Sequence, residues 1–421
     1  MRDSSLKPKL DVYLRQALVG RLWLDERGRF AFQYEPAWLN AGNPFPLSLS
    51  LPLKAEPFID DRARPFFSNL LPEAGVRQTL ARRLKISEQN DFELLRKIGG
   101  ECAGAVSVLP QGMAPALAPG YREIDEEELH RVVKELSRRP FLVGDKGTRL
   151  SLAGAQNKLP VYMEGDRVFL ATGNAPSTHI LKPPIPGLEE SVENEAFCMI
   201  LASRMGLAIP EVRIRQGYDS LYIVERYDRE RSREGEILRL HQEDFCQALG
   251  IVPEQKYEAE GGPSLARCFA LIKEKSASPA VDQRALFLWV VINMLIGNAD
   301  AHAKNLAILF TPNGPRLAPF YDLISTLVYP DLSTRLAMRI GGENRINWIQ
   351  RRHWERFSVE VGIKPLWVER TVAEIALRLP LLADSVAKEF METYGPSEVV
   401  EKVVRIIHKA GSRFGEGAST S

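Results

Sequence analysis

Residues 285–326 read ALFLWVVINMLIGNADAHAKNLAILFTPNGPRLAPFYDLIST. From Leu286 to Ile296 the run is apolar and broken only by Asn293. A segment apolar all round predicts a buried helix, and this one is too short to span a bilayer. Gly297 ends it, and the polar residues Asp300, His302, Lys304 and Asn305 follow. LAILF (306–310) and RLAPF (316–320) are strand candidates, joined by the turn Pro312-Asn313-Gly314-Pro315. Tyr321 and Asp322 come directly after the second of them.

A hairpin centred on Asn313-Gly314 puts Asn305 opposite Asp322 at its open end, beside Asp300. Amide and carboxylate oxygens are hard ligands of the kind Mg²⁺ takes, one or two from the protein and the rest from phosphates. Asp300 lies five positions before Asn305. That is the spacing of the protein-kinase catalytic loop, where the Asp receives a hydroxyl proton and the Asn holds metal. Asp322 stands where a kinase has its second metal-binding Asp. The D-x-x-x-x-N spacing alone is common in polar loops; joined to Asp322 it points to kinase-like phosphoryl transfer.

The remaining chain supplies the partners such chemistry needs. Residues 10–53 alternate as strands in LDVYL, LVGRLWL, RFAFQY and PFPLSLSLPL. PFFSNLLPEAGVRQTLARRLKI (65–86) and DFELLRKIGG (91–100) take helical spacing, and ECAGAVSVLP returns to strand. This first unit holds no catalytic cluster and reads as structural. QGMAPALAPG (111–120) is a linker, and IDEEELHRVVKEL is an amphipathic helix with an acidic first turn. Ala153-Gly154-Ala155-Gln156-Asn157-Lys158 is a small-residue loop ahead of the hairpin LPVYM–RVFLA. Small residues let backbone N–H groups approach a phosphate. THILKP (178–183) is a strand carrying Lys182, at the place of the kinase lysine that holds nucleotide phosphates. On the helix SVENEAFCMILASRMG (191–206), Glu195 falls on the inward side and is the candidate ion-pair partner of Lys182. SLYIVERYDR (220–229) runs from strand into charge, and from LHQEDFCQAL (240–249) onward the pattern is helical apart from the hairpin. His302 takes the Asp300 + 2 place where many kinases carry lysine, and Lys304 supplies a nearby charge. Both are nucleotide-site candidates, not the base.

Composition sets outer limits. A chain of 421 residues exceeds what one core usually serves. Its 45% apolar and 26% charged content is ordinary for a globular protein. A net charge of +1 argues against a surface built wholly for nucleic acid. The clusters Arg82-Arg83-Lys85, Arg229-Arg231-Arg233 and Lys402-Arg405-Lys409 read as solvated faces. The four cysteines lack any CxxC or Cys/His ligand pattern and read as free thiols of a reducing, cytoplasmic compartment. MRDSSLKPKL has no apolar signal core, so no membrane is expected.

Asn298-Ala299-Asp300-Ala301-His302-Ala303-Lys304-Asn305, followed by Pro319-Phe320-Tyr321-Asp322, resembles the signature of the HipA serine/threonine kinases, the toxins of bacterial HipBA toxin–antitoxin pairs. The resemblance runs over nearly the whole chain. It implies that the 153–158 loop covers the phosphates of ATP, that Ser151 before it is an autophosphorylation site, and that Glu225-Arg226-Tyr227 contacts adenine through backbone groups. It also implies that Tyr321 belongs to the nucleotide site, and that PFFSNLLPE and Gly99-Gly100-Glu101-Cys102-Ala103-Gly104-Ala105-Val106 form an N-terminal domain that helps dock the antitoxin. The implied partner is a small, dimeric helix-turn-helix antitoxin of HipB type, through which operator DNA is reached.

The resulting expectation is an α+β, two-lobed kinase-like fold with an added N-terminal α/β domain. Its units are residues 1–112, 113–228 and 229–421. The expected activity is ATP- and Mg²⁺-dependent phosphorylation of a protein hydroxyl on a translation component such as an aminoacyl-tRNA synthetase. Asp300 is the base, Asn305 and Asp322 hold the metal, and Lys182 with the loop fixes the phosphates. A small-molecule kinase of aminoglycoside-phosphotransferase type and a non-catalytic, antitoxin-docking corepressor are the alternatives.

Overall fold

The computed structural model describes residues 8–115, 120–142, 153–172 and 175–415. Strands with mostly buried side chains build the first sheet. It is antiparallel and contains β1 (Lys9–Leu14), β2 (Ala17–Leu24), β3 (Phe30–Tyr34), β4 (Phe58–Ile59) and β5 (Val106–Pro110), in the order β4-β3-β2-β1-β5. The short α1 (Pro36–Leu39) follows β3, and α2 (Asp60–Ser68), α3 (Ala74–Leu84) and α4 (Asp91–Ile98) complete the unit. Phe32, Phe66, Phe67, Leu80 and Leu95 close its core. Two expectations differ here. PFPLSLSLPL forms no strand, because Pro44, Pro46 and Pro52 lack the N–H a ladder needs. Its Leu47 and Leu51 are buried all the same. The single helical stretch expected over 65–86 is two helices, broken around Pro72.

The second sheet has six antiparallel strands in the order β10-β11-β9-β7-β8-β6. They are β6 (Gly120–Ile124), β7 (Leu159–Glu164), β8 (Arg167–Thr172), β9 (His179–Lys182), β10 (Val212–Gln216) and β11 (Ser220–Glu225). Strands β6 and β10 were not expected. Helix α5 (Glu126–Leu136) is capped by Asp125, whose side chain accepts from Glu128 N at 2.8 Å. Helix α6 (Ser191–Arg204) ends before Gly206, which sits at φ 96°.

The third unit is mainly helical: α7 (Phe245–Leu249), α8 (Leu265–Lys275), α9 (Pro279–Ile296), α10 (Arg351–Val361), α11 (Pro365–Tyr394) and α12 (Glu398–Gly415). Helix α9 is long and apolar enough to cross a membrane, but it is the core helix, with Phe287, Trp289, Ile292 and Leu295 buried. It is longer than expected because Pro279 opens it, at a position where its missing N–H costs nothing. Helix α11 runs unbroken through Pro380. Gln242–Asp244 was expected to be helical. It is strand β14, paired with β15 (Ala307–Thr311), which in turn pairs with β16 (Gly314–Leu317), while β12 (Arg229–Arg231) with β13 (Ile237–Arg239) and β17 (Arg335–Ile340) with β18 (Glu343–Arg345) are small ribbons. Arg229, expected on a solvated face, is buried instead and donates to Glu101 Oε1 at 2.9 Å. All four cysteines are buried free thiols.

Candidate active site

Helix α9 delivers the catalytic-loop candidates. Gly297 caps it in the left-handed region, and Asn298 Nδ2 donates to Asn293 Oδ1 at 2.7 Å, so the one polar residue of the apolar run anchors the loop. Asp300 N donates to Asn298 Oδ1 at 3.0 Å, leaving the Asp300 side chain exposed at the mouth of the cleft. His302 N donates to Asn305 Oδ1 at 3.1 Å, which orients the Asn305 amide.

The hairpin that follows is not in the expected register. Ile308 pairs with Leu317 and Thr311 with Gly314, so the two-residue turn is Pro312-Asn313 and the ladder is displaced by two residues. Asp322 therefore does not reach Asn305 across a ladder. The strand ends at Leu317, and Asp322 adopts φ 55°, a left-handed conformation unusual for a residue with a side chain. That bend brings Asp322 Oδ2 to 3.4 Å from Asn305 Nδ2. The predicted neighbours meet by a different route.

Opposite them, Lys182 at the end of β9 donates to Glu195 Oε1 of α6 at 2.7 Å and is also ion-paired with Asp322. Burial works against the Lys182 charge, but the Asp322 and Glu195 carboxylates outweigh it and raise its pKa. Burial likewise opposes the Asp322 charge, and Lys182 and Lys158 hold its carboxyl below the usual range. The triad is thus a fixed arrangement of charges.

The small-residue loop lies across the same cleft. Ala153, Gly154, Ala155, Gln156 and Lys158 line it, whereas Asn157 does not. Gly154 sits at φ 110°, and a Cβ there would meet Lys158 Nζ at 2.8 Å. Lys158 donates to Ala153 O, and burial pulls its pKa down to about 8. Ser151 lies outside the described residues. Where β11 ends, Glu225 is exposed and Arg226 is buried with its guanidinium on Asp228 Oδ2 at 2.8 Å, so only its backbone is left to face a ligand. The Tyr227 ring stacks on Tyr321, with centroids 5.9 Å apart.

His302 and Lys304 are placed less directly than expected. Burial lowers the His302 pKa to about 4, so the imidazole is neutral. Lys304 turns away from the catalytic loop's open side. Its Nζ donates to Asn69 Oδ1 at 2.6 Å and pairs with Glu73 and Asp244, each at 3.3 Å.

The N-terminal unit, expected to hold no site residues, contributes Asn69 and Glu73 of PFFSNLLPE to the cleft. Glu73 N donates to Gly154 O at 3.1 Å, so this segment grips the phosphate-loop candidate. Burial opposes the Glu73 charge, but Lys304 and Lys256 lower its pKa to about 2. Tyr257 was also missed: its hydroxyl donates to Asp300 Oδ1 at 2.7 Å. No sequence spacing links positions 73, 257 and 300; only the packing of the units does.

The cleft encloses about 410 Å³. Among the described residues, no three His, Cys, Asp or Glu side chains are gathered to hold a metal. An amide and a carboxylate side by side, with Asp322 open to the cleft, still fit Mg²⁺, which completes its shell with phosphate oxygens and water.

Family models match on both sides of the linker: the HipA N-terminal domain over residues 10–109 and the HipA-like C-terminal domain over residues 150–381. The candidate kinase Y4mE of Sinorhizobium fredii is 42% identical over 413 residues, covering 96% of this chain and 97% of that protein. The serine/threonine-protein kinase toxin HipA of Shewanella oneidensis is 34% identical over 388 residues, covering 88% and 87%. A solved structure of HipA with HipB and operator DNA from Shewanella oneidensis superimposes with a TM-score of 0.82 at 31% identity, covering 97% of this chain and 96% of that one.

Proposed function

Because the chain belongs to the HipA family of serine/threonine kinase toxins, we propose that it transfers the γ-phosphate of ATP to a serine or threonine hydroxyl of a protein. The observation that carries this is the Lys182–Glu195–Asp322 triad facing Asp300 and Asn305 across one cleft. Lys182, Lys158 and the N–H groups of 153–158 hold the phosphates. The backbone of Glu225-Arg226-Tyr227, beside the stacked Tyr227 and Tyr321 rings, meets adenine. Asn305 and Asp322 would hold Mg²⁺, whose chemistry there would be to offset phosphate charge. Asp300 orients the acceptor hydroxyl and takes its proton. The units 1–112, 113–228 and 229–421 remain our proposed division; one hydrophobic cluster falls almost wholly within the first, whereas Phe197, Met199 and Leu201 of α6 pack into the core of the helical unit.

The family supports a toxin neutralised by a dimeric HipB-like helix-turn-helix antitoxin, with operator DNA reached mainly through that partner, in the cytoplasm. A translation component such as an aminoacyl-tRNA synthetase is the proposed substrate class. Ser151 is the proposed site of self-inactivation. A phosphate there adds about −1.5 to −2 charges beside a loop that must itself hold ATP phosphates. Like-charge repulsion would favour a loop swung out of the cleft.

The test is Asp300→Asn. It should keep the fold and ATP affinity but slow phosphoryl transfer by roughly 10²–10⁴-fold, the share of a positioned acid–base group. Turnover equal to the unaltered protein's would refute the reading. Calorimetry with ATP on protein phosphorylated stoichiometrically at Ser151 tests the self-silencing step, for which affinity must collapse.

A further inference from the structure

We propose that Tyr257 is the positioning residue of the phosphoryl-transfer site, fixing the Asp300 carboxylate for the acceptor hydroxyl. This rests on the kinase reading above and adds a residue to it.

Asp300 needs such a residue because the usual supports are spent elsewhere. His302, two positions on, is buried, with its ring packed against that of Tyr257. Lys304 is committed to Asn69, Glu73 and Asp244. Among the described residues, no Lys, Arg or His nitrogen lies within ion-pair distance of Asp300, whose carboxylate is exposed. An exposed carboxylate with no fixed partner samples several rotamers, and a general base must be held in one.

The Tyr257 hydroxyl supplies the fixed partner. It donates to Oδ1 at 2.7 Å and leaves Oδ2 for the acceptor. Burial and the Asp300 charge both raise the Tyr257 pKa, so the phenol keeps its proton and remains a donor. The ring is itself held. Its edge meets the His302 ring with centroids 5.3 Å apart and planes at 76°, and Lys256 Nζ lies over it at 5.3 Å.

The segment that carries Tyr257 is tied down on both sides. Lys256 Nζ donates to Glu73 Oε2 at 2.8 Å, and Glu258 Oε2 accepts from Arg339 N at 2.6 Å. Gly262 N donates to Tyr257 O at 3.0 Å, and at position 262 a Cβ would lie 2.2 Å from Gln255 O, so only glycine allows this closure. The same Glu73 grips Gly154. One segment of the N-terminal unit therefore aligns the base and the phosphate loop together.

The experiment is a double-mutant cycle of Tyr257→Phe and Asp300→Asn in the full-length chain. Its readout is ³²P release or transfer from γ-labelled ATP, with ATP affinity measured separately by calorimetry. Tyr257→Phe keeps the ring and removes only the hydrogen bond. It should lower kcat about tenfold, part of what a hydrogen bond to a charged group is worth, and leave KM for ATP unchanged. In the Asp300→Asn background it should change the residual rate less than twofold, because the group it positions is already lost. Wild-type kcat in Tyr257→Phe, or an equal loss in both backgrounds, overturns the proposal and leaves the kinase reading intact. Asp300→Asn with unaltered turnover overturns both.

Discussion

Asp322 combines a left-handed backbone, an ion pair to Lys182 and a contact with Asn305. Its carboxylate is the proposed charged ligand of Mg²⁺, so Asp322→Ala should weaken Mg²⁺-dependent ATP binding at least tenfold. Calorimetry with and without Mg²⁺ checks this, and unchanged affinity with the metal would remove the metal role. His302 makes a different statement. Its folded pKa of about 4 lies below the ordinary value of about 6.5. The unfolded chain therefore binds the extra proton first. The stability this neutral histidine allows is complete above about pH 6.5 and is lost as pH falls towards 4, on the order of 3 kcal/mol. His302→Asn should accordingly show a smaller drop in Tm between pH 7.5 and pH 5 than the unaltered protein. An identical drop in both would contradict the buried, neutral assignment.

Among the elements, the loop 153–158 and the hairpin β15–β16 show how local chemistry and register divide the work. Gly154 at φ 110° lies in a region other residues reach at a cost of roughly 1–3 kcal/mol. A Cβ would also press on Lys158 Nζ. Gly154→Ala should therefore weaken ATP binding by about tenfold or more while moving Tm little, since the fault is confined to the loop. Calorimetry beside a thermal melt separates the two, and full ATP affinity would show that the loop does not shape the phosphate site. The hairpin teaches caution about register. Four turn residues allow more than one centre, and the shorter turn Pro312-Asn313 won. Asp322 reached the site because the chain bends after Pro319, a bend no strand periodicity encodes.

Across the whole molecule, the N-terminal unit is latched to the helical unit. Glu243 accepts from Ser48 Oγ at 2.5 Å and from Leu49 N at 2.9 Å. Burial pushes its carboxyl up to about 8. Here the unfolded chain gives up the proton first, so the latch loses stability as pH rises from about 4.5 through 8. Glu243→Gln keeps the shape and cannot ionise. Its Tm relative to the unaltered protein should rise between pH 5.5 and pH 8.5, and a difference that stays constant would refute the raised pKa.

The candidate catalytic cluster was legible because its chemistry is local. An apolar run, Asp300 five residues before Asn305, and Asp322 after a turn are read from order and spacing alone. Strand Lys182 and inward-facing Glu195 were legible from periodicity, which fixes the face of a helix or strand but not its partner. Family membership, and with it the two-lobed fold, followed from those motifs. Only the tertiary structure decided what closes the site. It turned PFPLSLSLPL from a strand into a docking loop, buried Arg229, and diverted Lys304 to Asn69 and Glu73. It also brought Tyr257 to Asp300 and Glu73 to Gly154. Those pairs join residues far apart in the chain, and the pattern of one segment carries no information about which distant segment will bury it. That choice is made when three hydrophobic cores pack together and each buried charge finds a partner across the seam.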